Sequence, residues 1–346
     1  MKKIRTAILG YGRSGSTMHA GALEQVDDFE VTAVSDNDPQ RRQQAADRFH
    51  CAVYEDYRQM IAREQLDLAI IVTRSDQHAP MTCDCLAANL NVLVTKPWAM
   101  NEAEARRMVT AAEQSGKLLF PWLPARWGSD LARLKQLLAE QAIGRIFMIR
   151  HVQSSFASRS DWQTERRYGG GYLLNWGPHI VDPPLVLLGS RVASVFGRLK
   201  QVFNPGDAED VFLAILTLTD GTVIQAEYTI TPNEPPNWCL QGDRGTIILR
   251  GDKLQLIART PASPQDPTQY KGMTPKDPSG VEETLSGALN GDPNKIYTAI
   301  AQAIRGQTPF PVTPADALEL TRVLDAIRIS HEENRIVHLQ SETEGH

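Results

Sequence analysis

Ile4–Leu9 is a short apolar run that leads straight into Gly10–Tyr11–Gly12–Arg13–Ser14–Gly15, and no other stretch so narrows the folds open to this chain. G-x-G-x-x-G between a strand and a helix has a specific physical use. Gly10 permits a tight turn, Gly12 lets the backbone approach a pyrophosphate, and Gly15 lets the helix pack closely on the strand. The helix start then offers backbone N–H groups and the positive end of its dipole to phosphate. Asp36 closes the next strand, where a carboxylate can accept both ribose hydroxyls and repels a 2′-phosphate. The expected cofactor is therefore NAD, with NADP kept open by Arg41 and Arg42 nearby.

The rhythm that follows agrees. Strand patterns at 4–9, 30–34, 68–72, 91–95 and 117–120 alternate with helix patterns at 15–26, 39–49, 80–89 and 102–114. Asn101 reads as a helix cap with Glu104 as its reciprocal partner, and Gly116 as the stop. Such alternation implies an α/β, doubly wound parallel sheet over residues 1–122. Beyond residue 123 the pattern changes to a helix at 130–140 and runs of strands at 145–156, 192–203, 211–230 and 242–256. Asp220–Gly221 marks a hairpin. Residues 169–188 read as an interrupted helix, 259–293 as a long irregular loop, and 294–305 and 314–333 as two closing helices. Residues 123–346 thus form a second α/β (α+β) domain, with a large open sheet that is mixed and mostly antiparallel.

Composition excludes several classes. A net charge of −5 leaves no basic footprint for nucleic acid. No apolar run is long enough to span a bilayer, and the opening MKKIRTAILGYGR breaks into glycines and Arg13 too early for a secretory signal. Four cysteines suit a reducing, cytoplasmic setting. Cys83 and Cys85 lie two apart on a helix, so they face apart and no metal site is expected.

Ligands of such sheets lie at the carboxyl ends of the strands. Thr73, Arg74 and His78 after the fourth strand, and Thr95, Lys96 and Pro97 after the fifth, are candidates for the nicotinamide half. His78 reads as a surface or packing residue rather than a catalyst. Lys96 at the end of a buried strand is costly unless used or paired. His179, in GGGYLLNWGPHIVD, can take a hydroxyl proton near neutral pH, and an ammonium beside it can stabilise an alkoxide.

Taken with VTKPWAM, IGRIFMIR, DWQTERRYGGGYLLNWGPHIVD and the closing AIRGQTPFPVTPADALELTRVLDAIRIS, the chain resembles the Gfo/Idh/MocA oxidoreductases over its whole length. The resemblance implies a Rossmann domain and a second domain whose open sheet serves a homodimer or homotetramer. It also implies NAD(P)-dependent hydride transfer on a sugar, polyol or sugar acid. It maps the family lysine to Lys96 and its histidine to His179. Two positions depart from it: Thr95 stands where the family usually has Glu, and Asn175 where it has Asp. Asn175 and His179, four apart, share a face if the segment is helical. The amide can bind a substrate hydroxyl or fix the ring's tautomer, and Asp182 is the carboxylate left to partner the imidazole. With Lys96, Asn175 and His179 as catalytic candidates, Arg126, Trp162 and Tyr172 join them as substrate contacts. Arg126, Arg159, Arg166 and Arg167 raise the prospect of an anionic substrate. Two other readings stay open: a non-catalytic sugar sensor on the same fold, and an enzyme using tightly held NAD transiently for glycoside cleavage or epimerisation.

Overall fold

A computed structural model describes residues 2–258, 266, 268–270, 272 and 280–339. Six short strands, β1 (Ile4–Leu9), β2 (Phe29–Ser35), β3 (Ala52–Tyr54), β4 (Leu68–Ile71), β5 (Asn91–Val94) and β6 (Leu119–Pro121), form one sheet. Their order is β3-β2-β1-β4-β5-β6, and every pairing is parallel. Near-continuous apolar runs make this possible, since parallel strands are covered on both faces: Leu68 to Ile71 and Val92 to Val94 have no exposed surface. The crossovers are α1 (Ala20–Gln25), α2 (Pro39–Phe49), α3 (Tyr57–Arg63), α4 (His78–Ala87) and α5 (Glu102–Ser115). The chain reverses direction across the sheet between β1 and β4, and a crevice opens there at the strands' carboxyl ends.

After α6 (Ser129–Ala139) come β7 (Ile146–Ser155) and α7 (Tyr172–Leu188). Next are β8 (Val192–Lys200), β9 (Val211–Leu218), β10 (Val223–Ile230), β11 (Trp238–Gly242), β12 (Gly245–Arg250), β13 (Lys253–Ala258) and β14 (Val281–Thr284). The chain closes with α8 (Pro293–Ile304), α9 (Pro314–Glu333) and β15 (Val337–His338). These strands build a nine-stranded sheet in the order β14-β13-β12-β11-β7-β10-β9-β8-β15. Only β7 and β10 pair in parallel; the other pairings are antiparallel. Strict alternation along β9, with Phe212, Ala214, Leu216 and Leu218 inward, lays one face on α6, α7 and α9. α8 instead adds Ile296, Tyr297 and Ile300 to the buried cluster that holds Ile4, Ile8 and Phe29 of the first sheet's layer, with Tyr297 edge-on to Phe29.

Four local readings need correction. The helix after the glycine turn starts in the wider π form over Gly15–His19 before α1. The segment 172–188 is one unbroken helix despite Pro178, Pro183 and Pro184 inside it. Glu104 closes its carboxylate on the N–H of Met100 at 3.0 Å, one residue before the Asn101 cap, so the reciprocal pair is not made. The loop expected over 259–293 contains β14, which pairs with β13; residues 259–265, 267, 271 and 273–279 lie outside the described residues.

Candidate active site

The crevice is a cleft of about 1280 Å³ that runs from the glycine turn to α7 and the nine-stranded sheet. At its dinucleotide end Gly10 has φ 94°, and a Cβ there would stand 2.7 Å from the Val72 carbonyl. A Cβ on Gly15 would fall 2.1 Å from the Gly10 oxygen, so the helix start can lie on the turn only without a side chain. Gly12 faces open cleft, with the Arg41 guanidinium 3.6 Å from where its Cβ would be. Asp36 accepts the N–H of Tyr11 at 2.7 Å and of Asp38 at 2.9 Å, which fixes its carboxylate at the end of β2. Arg41 approaches that carboxylate to 3.8 Å, while Arg42 is used on the carbonyls of Asp36 and Asn37. A bare turn, a helix start and an oriented carboxylate fit the pyrophosphate and ribose of a dinucleotide. Arg13, Ser14, Thr73, Arg74, Thr95, Lys96 and Pro97 line the same cleft.

Two expected cofactor contacts lie elsewhere. The Tyr11 ring is 2% exposed and packs edge-on to Phe49, because its apolar body is worth more in the core. His78 is also buried, with Nδ1 2.7 Å from the Pro97 carbonyl and Nε2 3.1 Å from that of Thr73. It braces the two cleft loops from behind rather than facing a ligand, so the packing half of its reading holds.

Lys96 leaves the end of β5 half-buried and donates from Nζ to the Asn175 side-chain oxygen and, at 3.1 Å, to its backbone oxygen. Asn175 thus holds the lysine rather than the imidazole. Thr95, where a family carboxylate would stand, gives its hydroxyl to the Ile71 carbonyl at 2.9 Å. Among the described residues nothing anionic therefore stabilises the ammonium. Burial, and then the charges of Arg159 and Arg13, bring the Lys96 pKa down to about 7.

The glycines before α7 set that helix in place. A Cβ on Gly169 would lie 2.5 Å from the Ser75 Cβ, one on Gly170 2.5 Å from the Gln163 carbonyl, and one on Gly171 2.3 Å from the Glu209 carboxylate. Glu209 in turn accepts the Leu173 N–H at 3.1 Å, capping a helix that lacks a side-chain cap of its own. α7 then presents Asn175, Trp176 and His179 to the cleft. Neither ring nitrogen of His179 has a hydrogen-bond partner among the described residues, and burial, with the charges of Lys96 and His151, lowers its pKa to about 3. It is a neutral ring.

Asp182 does not partner it. Both carboxylate oxygens are taken by Arg126, at 2.9 and 2.7 Å, and Asp316 lies 3.5 Å from the same guanidinium. Arg126 is thereby spent on a buried carboxylate and does not line the cleft, contrary to its expected substrate role. Tyr172 is also withdrawn, packed edge-on to Tyr228 at 4.6 Å, whereas Trp162 does line the cleft. Of the four arginines proposed for an anion, only Arg159 reaches the cleft, bonded to Gln163 and 3.9 Å from Asp161. Sequence reasoning missed His151, Gln153 and Trp238, which line the cleft from the second sheet. Nothing local marks them, because alternation alone says only that they share a strand face. Among the described residues no cluster of His, Cys, Asp or Glu could hold a metal, and no helix is long and apolar enough to cross a membrane.

Comparison with known proteins shows the family and the fold. Residues 4–122 match an oxidoreductase family with an NAD-binding Rossmann fold, and residues 131–248 match the GFO/IDH/MocA C-terminal domain. The scyllo-inositol 2-dehydrogenase (NADP(+)) of Bacillus subtilis is 26% identical, with 97% of this chain and 96% of that one covered. D-apiose dehydrogenase of Paraburkholderia graminis is 29% identical, with 99% and 91% covered. A solved NAD-binding protein from Listeria innocua superposes with a TM-score of 0.84 at 25% identity, covering 97% of each chain.

Proposed function

The chain belongs to the Gfo/Idh/MocA oxidoreductases, and we propose that within this NAD(P)-dependent family it oxidises a secondary hydroxyl of a sugar, polyol or sugar acid through Lys96, His179 and Asn175. One observation carries the assignment of roles: a cleft lysine fixed by an amide, free of any carboxylate, with its pKa at about 7. A base works best when its pKa lies near the operating pH. A dinucleotide held along the cleft would supply a hydride acceptor, or a donor in reverse. Neutral Lys96 takes the proton from the substrate hydroxyl, and its ammonium then holds the carbonyl oxygen that results. Asn175 keeps Nζ in place through both states, because an amide oxygen accepts from either form. His179 orients the same hydroxyl. Its low pKa makes it a weak proton acceptor beside Lys96.

Asp36, buried at the ribose position, supports NAD over NADP. Arg159 supports acceptance of a carboxylate on the substrate, and the relatives' sugar and inositol activities support the substrate class. The same proposal includes a division near residue 122, a cytoplasmic location, and a homodimer or homotetramer. Half-exposed Phe196, Leu213 and Ile215 on the uncovered face of the nine-stranded sheet support the last.

The test is steady-state reduction of NAD+ and NADP+ with a panel of inositols, aldoses and sugar acids. Turnover that is lost about 10²–10⁴-fold in Lys96→Ala is the expected result. Equal activity in that variant would remove the assignment.

A further inference from the structure

Proline inside a helix lacks the N–H that would bond the carbonyl four residues earlier. In α7, Pro184 therefore leaves the Ile180 carbonyl without its helical donor. His151 takes that role from β7, its Nδ1 lying 2.8 Å from the Ile180 oxygen. A carbonyl only accepts, so Nδ1 carries the proton, and in a neutral ring Nε2 is then a bare lone pair. Burial keeps the ring neutral by pushing its pKa down to about 4.

The orientation is fixed as firmly as the tautomer. Trp238 is the direct cross-strand partner of His151 on β11, and the rings stack with centroids 3.7 Å apart and planes 16° apart. Trp238 is pinned in turn by its Nε1, which donates to Asp130 at 3.1 Å. Nε2 of His151 has no partner among the described residues. It is also not one of the buried polar atoms left without one, so it opens on the cleft that the residue lines beside Gln153, Trp176 and His179. His151 bonds the carbonyl of the residue that follows His179, and both rings line the cleft that Lys96 enters.

We propose that His151 contacts substrate as a fixed hydrogen-bond acceptor for a hydroxyl next to the one oxidised, so that the site selects a vicinal diol. It orients and does not relay, since taking a second proton at Nε2 would charge a buried ring. The inference rests on reading the cleft as a sugar or polyol site.

Two variants separate the functions of the ring. His151→Asn places an amide nitrogen where Nδ1 stood and keeps a donor for Ile180, but removes the acceptor at Nε2. His151→Gln places an amide oxygen near the position of Nε2. The probe is whichever of myo-inositol, scyllo-inositol, D-glucose and D-gluconate the wild type oxidises fastest, compared with its analogue lacking the adjacent hydroxyl. H151N is expected to keep its melting temperature and NADH affinity while kcat/KM for the probe falls about 10–100-fold. H151Q recovers part of that loss, and on the deoxy analogue wild type and H151N perform alike. Unchanged kcat/KM in H151N, or an equal loss on the deoxy analogue, overturns the proposal while leaving the oxidoreductase reading intact. If H151N does not fold, equal use of probe and deoxy analogue by the wild type overturns it instead. Wild type that oxidises no member of the panel removes the underlying reading, and this proposal with it.

Discussion

The amide at 175 changes which residue titrates. Asn175 contacts Lys96, and the lysine sits near neutrality because both nearby acidic positions are uncharged residues, Thr95 and Asn175. A lysine lowered to about 7 is charged below that pH and cannot accept a proton there, so kcat/KM for oxidation should fall as pH drops through about 7. Asn175→Asp would set a carboxylate against Nζ, favour the ammonium and raise that pKa. The acid limb of the pH profile should then move up by one unit or more, with NADH affinity unchanged. A limb that stays in place would show that the observed base is not Lys96. Asp36 carries a separate residue-scale prediction. Asp36→Ser removes the proposed ribose acceptor and its charge, which would repel a 2′-phosphate, leaving Arg41 beside the site. NAD+ should bind about tenfold more weakly and the NADP+/NAD+ preference should rise, as read by KM for each cofactor. A fall in affinity for both cofactors alike would instead mark Asp36 as a brace for the Tyr11 and Asp38 backbone.

At the scale of elements, α7 shows how far local reading goes. Its three prolines announce interruption, yet the helix continues, and one of the carbonyls they free, that of Ile180, is taken by His151 from a strand 29 residues earlier. The glycine turn and the β–α alternation were legible because their causes lie within a few residues of one another. β3, only Ala52–Tyr54 at a sheet edge, was not, since three residues are too few to show a period. Arg126 was misread for the same reason as α7: its partner Asp182 is 56 residues away and buried. Two stability predictions follow from these contacts. Arg126→Ala strands the Asp182 carboxylate in the interior and should cost about 3–5 kcal/mol in urea unfolding, without changing KM of the folded fraction. A raised KM with intact stability would restore Arg126 to the substrate site. Gly171, at φ 103° and with no room for a Cβ beside Glu209, should cost on the order of 1–3 kcal/mol as Ala.

Across the whole molecule the two sheets are joined at more than the cleft. Arg74 lies over the Tyr168 ring at 4.0 Å, and Arg126 ties the stretch after β6 to α7 and α9 through Asp182 and Asp316. The deeper link is α8. Its Tyr297 accepts or donates a 2.7 Å hydrogen bond with His19 of the π turn, and packs on Phe29 and Trp122, while Arg305 pairs with Asp28. The dinucleotide layer is thus completed by a helix encoded some 170 residues beyond its last strand. This follows from burial rather than from any motif, which is why the sequence reads as a tidy division near residue 122. A fragment of residues 1–122 would uncover Phe29, Trp122 and His19, on which Tyr297 of α8 packs, and open the apolar cluster they share with Ile4 and Leu23. At about 25 cal/mol per Å² of apolar surface returned to water, even a few such side chains approach the whole stability of a domain this size. The fragment should therefore unfold with low cooperativity, bind a hydrophobic dye and hold NADH far more weakly than the full chain. Adding residues 293–304 through a flexible linker should recover a single sharp transition. A bare fragment that melts as cooperatively as the intact protein would show that α8 merely rests on that layer and does not complete it.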